Sequence, residues 1–136
     1  TFGSSVRSTH DNVEMDLWVE NGTSETLTGL RTQICVMLKG AVGFNDQTDG
    51  NKVLQSPVAA AESESGDRWI LTAWERCPRP WGNPAVPCMH ADPILPDCPP
   101  GQTVKVRGRL WFYEGADIEH EVKRGQDLFP AVSAGT

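Results

Sequence analysis

The chain has 136 residues, a net charge of −6 and 38% hydrophobic residues, enough for one domain with a core of its own. The acidic balance argues against a general affinity for nucleic acid or an anionic membrane. The longest apolar run, Ile34 to Leu38, falls far short of the ~20 residues that cross a bilayer, so no membrane span is expected.

Thr1 opens the chain with neither an initiator methionine nor a leader, as expected where a leader has been removed or the chain trimmed. Residues 1–11 are polar and aperiodic and read as an extended arm carrying His10. From Asn12 to Glu20, Val13, Met15, Leu17 and Val19 alternate with Glu14, Asp16, Trp18 and Glu20, the pattern of a half-buried strand. Asn21-Gly22-Thr23-Ser24 is a turn; it also matches a glycosylation sequon, but turn chemistry accounts for it. Leu30 to Gly40 reads as a central strand covered on both sides, with Cys35 turned away from the main core and placed to tether a distant loop. Residues 44–52 hold Asp46, Asp49 and Asn51 in a faint likeness of a calcium loop, without the closing glutamate, and read as an exposed turn. Lys52 to Ser56 is a short edge strand stopped by Pro57. Ala59 to Glu62 is a single helical turn, and Asp67 to Trp74 is a strand.

The longest predicted strand is Thr103 to Glu114. Val104, Val106, Leu110 and Phe112 face inward, and Lys105, Arg107, Arg109, Trp111 and Tyr113 share the other face. Gly108 marks a bulge or a close backbone approach. Ile118 to Arg124 is a last strand, and residues 125–136 a mobile tail. These elements predict an all-β fold, an antiparallel β-sandwich of jelly-roll or Ig-like type, with residues 1–136 as one domain.

Between Trp74 and Gly101 the chain reads WERCPRPWGNPAVPCMHADPILPDCPPG, holding eight of the ten prolines and three of the four cysteines. Proline removes backbone donors and constrains its neighbour, so this stretch is expected to be a long loop without regular structure. Its tryptophans and cysteines imply that it is folded and pinned, and a pinned loop of this length is a functional candidate. Cysteine usage fits an oxidising compartment, and hence a secreted or periplasmic protein. Four cysteines allow three pairings. The expectation is one bridge within the loop, among Cys77, Cys88 and Cys98, and one from Cys35 to the loop. The alternative is a thiolate metal site of Cys77, Cys88, Cys98 and His90, although these lack the tight Cys-x2–4-Cys pairs common in zinc sites.

Several segments resemble a family of small β-rich domains from environmental bacteria, found mostly in secreted proteins of unassigned function. They are LRTQICVMLK from Leu30, RWILTAWE from Arg68, WGNPAVPCMHADPILPDC from Trp81 and LWFYEG from Leu110. The resemblance implies a shared fold and a shared loop, and carries no activity with it.

Four constellations bear chemistry. His90 and Asp92 are two apart, so in extended chain they point the same way and can act as ligands or as a general base pair. The competing role for them is structural, with Asp92 capping a turn and His90 bonding loop carbonyls. His10, His90 and His120 together could make a copper or zinc site, but no two have short ligand spacing. The Lys105, Arg107, Arg109, Trp111, Tyr113 stripe suits a polysaccharide, through stacking and charged hydrogen bonds; alternatively it is a solvated face paired to acids such as Glu14 or Asp16, or a satellite core. The five tryptophans, Trp81 in the loop among them, offer aromatic platforms or core. No nucleophile elbow, phosphate loop or His-Glu-x-x-His helix occurs.

The leading expectation is therefore a non-catalytic extracellular module that binds a glycan or other cell-surface polymer through Trp81, Trp111, Tyr113, Arg107 and Arg109, with no cofactor. The alternatives are a metal-dependent enzyme, using one copper, zinc or calcium ion at His90 and Asp92 with His10, and a structural or assembly domain.

Overall fold

A computed structural model describes residues 1–130. Among them, nine strands form two antiparallel sheets: β1 (Phe2–Ser8), β2 (Asn12–Glu20), β3 (Cys35–Met37), β4 (Lys52–Gln55), β5 (Val58–Glu62), β6 (Arg68–Trp74), β7 (Trp81–Gly82), β8 (Cys88–His90) and β9 (Thr103–Glu114). One helix, α1 (Ile118–Leu128), follows. The large sheet has the order β1-β2-β9-β6-β5-β4 and the small one β3-β8-β7. The expected all-β, sandwich-like fold is thus present.

The large sheet is covered on both faces along its middle, which explains why β5 and β6 are buried nearly throughout. Period-two alternation sorts their side chains. Ala59, Ala61, Ile70, Trp74 and Val106 face the small sheet and its loops, packing with Leu38, Phe44, Met89, Ala91 and Leu95. Val58, Ala60, Trp69, Leu71, Ala73 and Trp111 face α1, packing with Val122 and Phe129. Gly108 is the predicted close approach: it sits in register between Met15 and Trp74, and the Trp74 indole lies where a Cβ would be.

Several expectations are corrected. The arm is the edge strand β1, paired along its length with β2. The alanine run is not a helical turn but β5, because β4 and β6 hydrogen-bond it from both sides and override alanine's helix preference. The central strand over Leu30 to Gly40 shrinks to β3, an edge strand of the small sheet. The proline-rich stretch is not devoid of regular structure, since it contributes β7 and β8.

The predicted last strand and the start of the tail are α1. Asp117 caps it, accepting from the His120 backbone N–H at 3.1 Å, and Val122, Gly125 and Phe129 follow at helical spacing on the buried side. Gly125, a poor residue for a helix interior, is required by proximity: a Cβ there would lie 2.7 Å from Val58 and 2.9 Å from Trp111. Residues 131–136 of the predicted tail lie outside the described residues. Because α1 covers this face, Trp111 is core; Phe112, expected inward, is on the opposite face and is exposed.

Candidate metal centre

The small sheet positions the site. Val36 and Met89, paired across β3 and β8, pack against the main core. The residues on either side of them then point away from it: Cys35 stands opposite His90, and Met37 opposite Cys88. On the other flank of β8, Trp81 of β7 pairs with His90. Pro87 and Pro93 bracket the segment, and proline's missing donor is a reason this strand pairing is so short.

The side chains of Cys35, Cys88 and His90 converge, their ligand atoms all within 4.8 Å of one another. Cys88 Sγ lies 3.4 Å from His90 Nε2. This is a thiol–imidazole hydrogen bond, and it also matches the roughly 3.5 Å between two ligands of one zinc-like ion at ordinary bond lengths and tetrahedral angles. Cys88 and His90 are buried, at 3% and 4% exposure, whereas Cys35 is exposed and forms the open side.

The second nitrogen of the imidazole faces a carboxylate. His90 Nδ1 is buried without a hydrogen-bond partner and lies 3.7 Å from Asp92 Oδ1. That carboxylate is itself held: the Ile34 backbone N–H donates to Oδ1 and Trp81 Nε1 to Oδ2, each at 2.7 Å. The Trp81 ring also stacks on His90, with centroids 3.8 Å apart and planes 8° from parallel. Carboxylate, imidazole and metal in line is the arrangement by which ligating histidines are oriented and made more basic. A cleft lined by Arg31, Arg79, Trp81 and Asp92 runs up to the same residues.

Although Cys35 is exposed as a residue, partial burial of its sulfur pushes its pKa above the ordinary thiol value, with the neighbouring Cys88 and Asp92 adding to the rise. Deeper burial pushes Cys77 up to about 11, as expected of an inert core thiol.

All four cysteines are free thiols, which corrects the two expected bridges. Cys77 is enclosed in the main core, and Cys98 is buried across the chain from Leu27, its sulfur 3.2 Å from the Gln102 carbonyl. Cys77 and Cys98 therefore also stand apart from Cys88 and His90, with which they made up the alternative thiolate metal site. His10 is exposed at the β1–β2 turn beside Asp11, and His120 is exposed on α1. Among the described residues, neither joins His90 in a metal-ligand cluster.

Of the expected polymer-binding residues, Arg107, Arg109, Trp111 and Tyr113 share β9. Trp81 is on the small sheet. Trp111 is 1% exposed under α1 and donates from Nε1 to Glu121 Oε2 at 3.0 Å. The Tyr113 hydroxyl accepts from the Asp117 backbone N–H. Arg107 grips Glu75 from Nε at 2.9 Å and from Nη2, and Arg109 lies 3.7 Å from Glu14. Glu75 holds the Arg107 pKa above its usual value.

Two weaker motifs resolve as structure. In residues 44–52 the buried Lys52 ammonium donates to the Thr48 carbonyl and, at 3.1 Å, to Asn51 Oδ1, so the loop carries its own cation. Asn21 of the sequon is buried, and its amide nitrogen donates to the carbonyls of Glu25 and Cys98.

Sequence reasoning found His90, Asp92 and Cys88 but missed Cys35 as their partner. The available signal was its place in a period-two segment, turned toward the loop. No protein family, curated protein or solved structure matches the chain.

Proposed function

We propose that the protein binds one thiophilic transition-metal ion at Cys35, Cys88 and His90, and that this centre is its functional site. One observation carries the reading: two thiols and a buried imidazole bring their ligand atoms within 4.8 Å of one another, with Cys88 Sγ 3.4 Å from Nε2, while the unpaired Nδ1 faces a carboxylate fixed by Ile34 and Trp81. Burying unpaired polar groups costs stability, so such an arrangement is favoured where a ligand completes it. Two sulfurs and one imidazole suit zinc or copper rather than calcium. Three protein ligands with an open, solvent-facing side leave a position for a water, a substrate or a fourth donor. Asp92 acts as the orienting carboxylate rather than as a ligand.

The test is native mass spectrometry of reduced protein after separate exposure to zinc, copper(I) and calcium. One retained zinc or copper(I) per chain, lost in Cys88→Ser and in His90→Ala, is the expected outcome, with circular dichroism confirming that the variants fold. Retention of neither zinc nor copper by the reduced wild type would overturn the proposal.

A further inference from the structure

Resting on that reading, we infer that Met37 is the fourth ligand and that the ion is copper(I). The β3–β8 ladder puts four donor-bearing side chains on one face in a two-by-two array, Cys35 beside His90 and Met37 beside Cys88. Directly opposed residues have Cβ atoms about 5 Å apart, within reach of an unbranched thioether.

Met37 is 54% exposed although the residues before and after it, Val36 and Leu38, pack into the core. It thus has freedom to turn toward Cys88, and it borders the open side left by Cys35. The resulting set is two thiolates, one thioether and one imidazole. The carboxylate beside His90, Asp92, is occupied by Trp81 and Ile34. Thioether sulfur is a soft donor that favours copper(I), while zinc draws its ligands from thiolate, imidazole and carboxylate. Met37 therefore sets which metal the centre prefers, and the stacked Trp81 walls the imidazole side from water.

The experiment is anaerobic competition of the reduced protein against a chromophoric copper(I) chelator, with a parallel zinc titration, for the wild type, Met37→Leu and Cys88→Ser. Met37→Leu keeps size and sits on an exposed position, so folding is unaffected. It is expected to weaken copper(I) by at least the roughly tenfold that loss of even an outer-shell partner costs, and to leave zinc unchanged. X-ray absorption of the copper(I) form should count three sulfurs in the wild type and two in Met37→Leu. Equal copper(I) affinities with two sulfurs in both would overturn the role of Met37 while leaving the centre standing. Unaltered metal binding in Cys88→Ser would instead overturn the centre itself.

Discussion

The protein contains two tryptophan–carboxylate pairs on opposite sides of its main sheet, and they differ in what lies behind the carboxylate. Under α1, Trp111 donates to Glu121, and Arg124 lies 3.6 Å from the same oxygen. That chain of contacts ends at the surface and satisfies the Trp111 indole, although Trp69 Nε1 on the same face has no partner. On the small sheet, Trp81 donates to Asp92, and behind Asp92 comes a histidine with one orphaned nitrogen and the other 3.4 Å from the Cys88 thiol. The first pair closes a core. The second is distinguished by what converges behind it, two thiols and an imidazole whose ligand atoms lie within 4.8 Å of one another.

Substitutions should separate the two pairs. Trp111→Ala removes a large buried side chain from under α1 and should cost about 3–5 kcal/mol in urea denaturation while leaving metal stoichiometry intact. If metal retention fell together with stability, the two regions would be one unit. Asp92→Asn keeps the shape and the acceptor for Trp81 but sets its amide nitrogen against the Ile34 N–H and removes the charge facing His90; it should weaken metal binding about 10–100-fold and cost the metal-free fold about 1–3 kcal/mol. Unchanged affinity would reduce Asp92 to the same structural role as Glu121.

The smallest effect concerns the ion-paired part of the α1-side face. Lys105, 3.2 Å away, and then Ser5 hold the Asp16 pKa below the usual carboxylate value. A depressed acid stabilises the fold above its unfolded pKa of about 3.9 and loses that contribution as pH falls through the folded value. The stability gap between wild type and Asp16→Asn should accordingly be present near neutral pH and vanish in strong acid. The pair is partly exposed and so screened by solvent, and the gap should stay within roughly 1 kcal/mol. A gap that widened on acidification would reverse the assignment.

Much of the sheet was legible. In β2, β6 and β9 the alternation is carried by backbone geometry, which any sequence in a strand must obey, and Gly108 announced the close approach of Trp74. The misreadings share a cause. Ile118, His120 and Val122 fit period two over a short window, and only the length of the buried stripe to Phe129 shows period three to four. Ala59 to Ala61 prefer helix intrinsically, and two neighbouring strands overrule them.

Taken alone, the sequence determined the class of fold and the chemistry-bearing loop, because residue periodicity and proline's missing donor act locally. Tertiary structure decided the rest. It chose Cys35 over Cys77 and Cys98 as the partner of Cys88, through the register of β3 on β8. It sent Trp111 inward by laying α1 over it, and set Trp81 onto His90. Each of these joins positions far apart in the chain, and strand register and helix docking, which no local spacing encodes, bring them together.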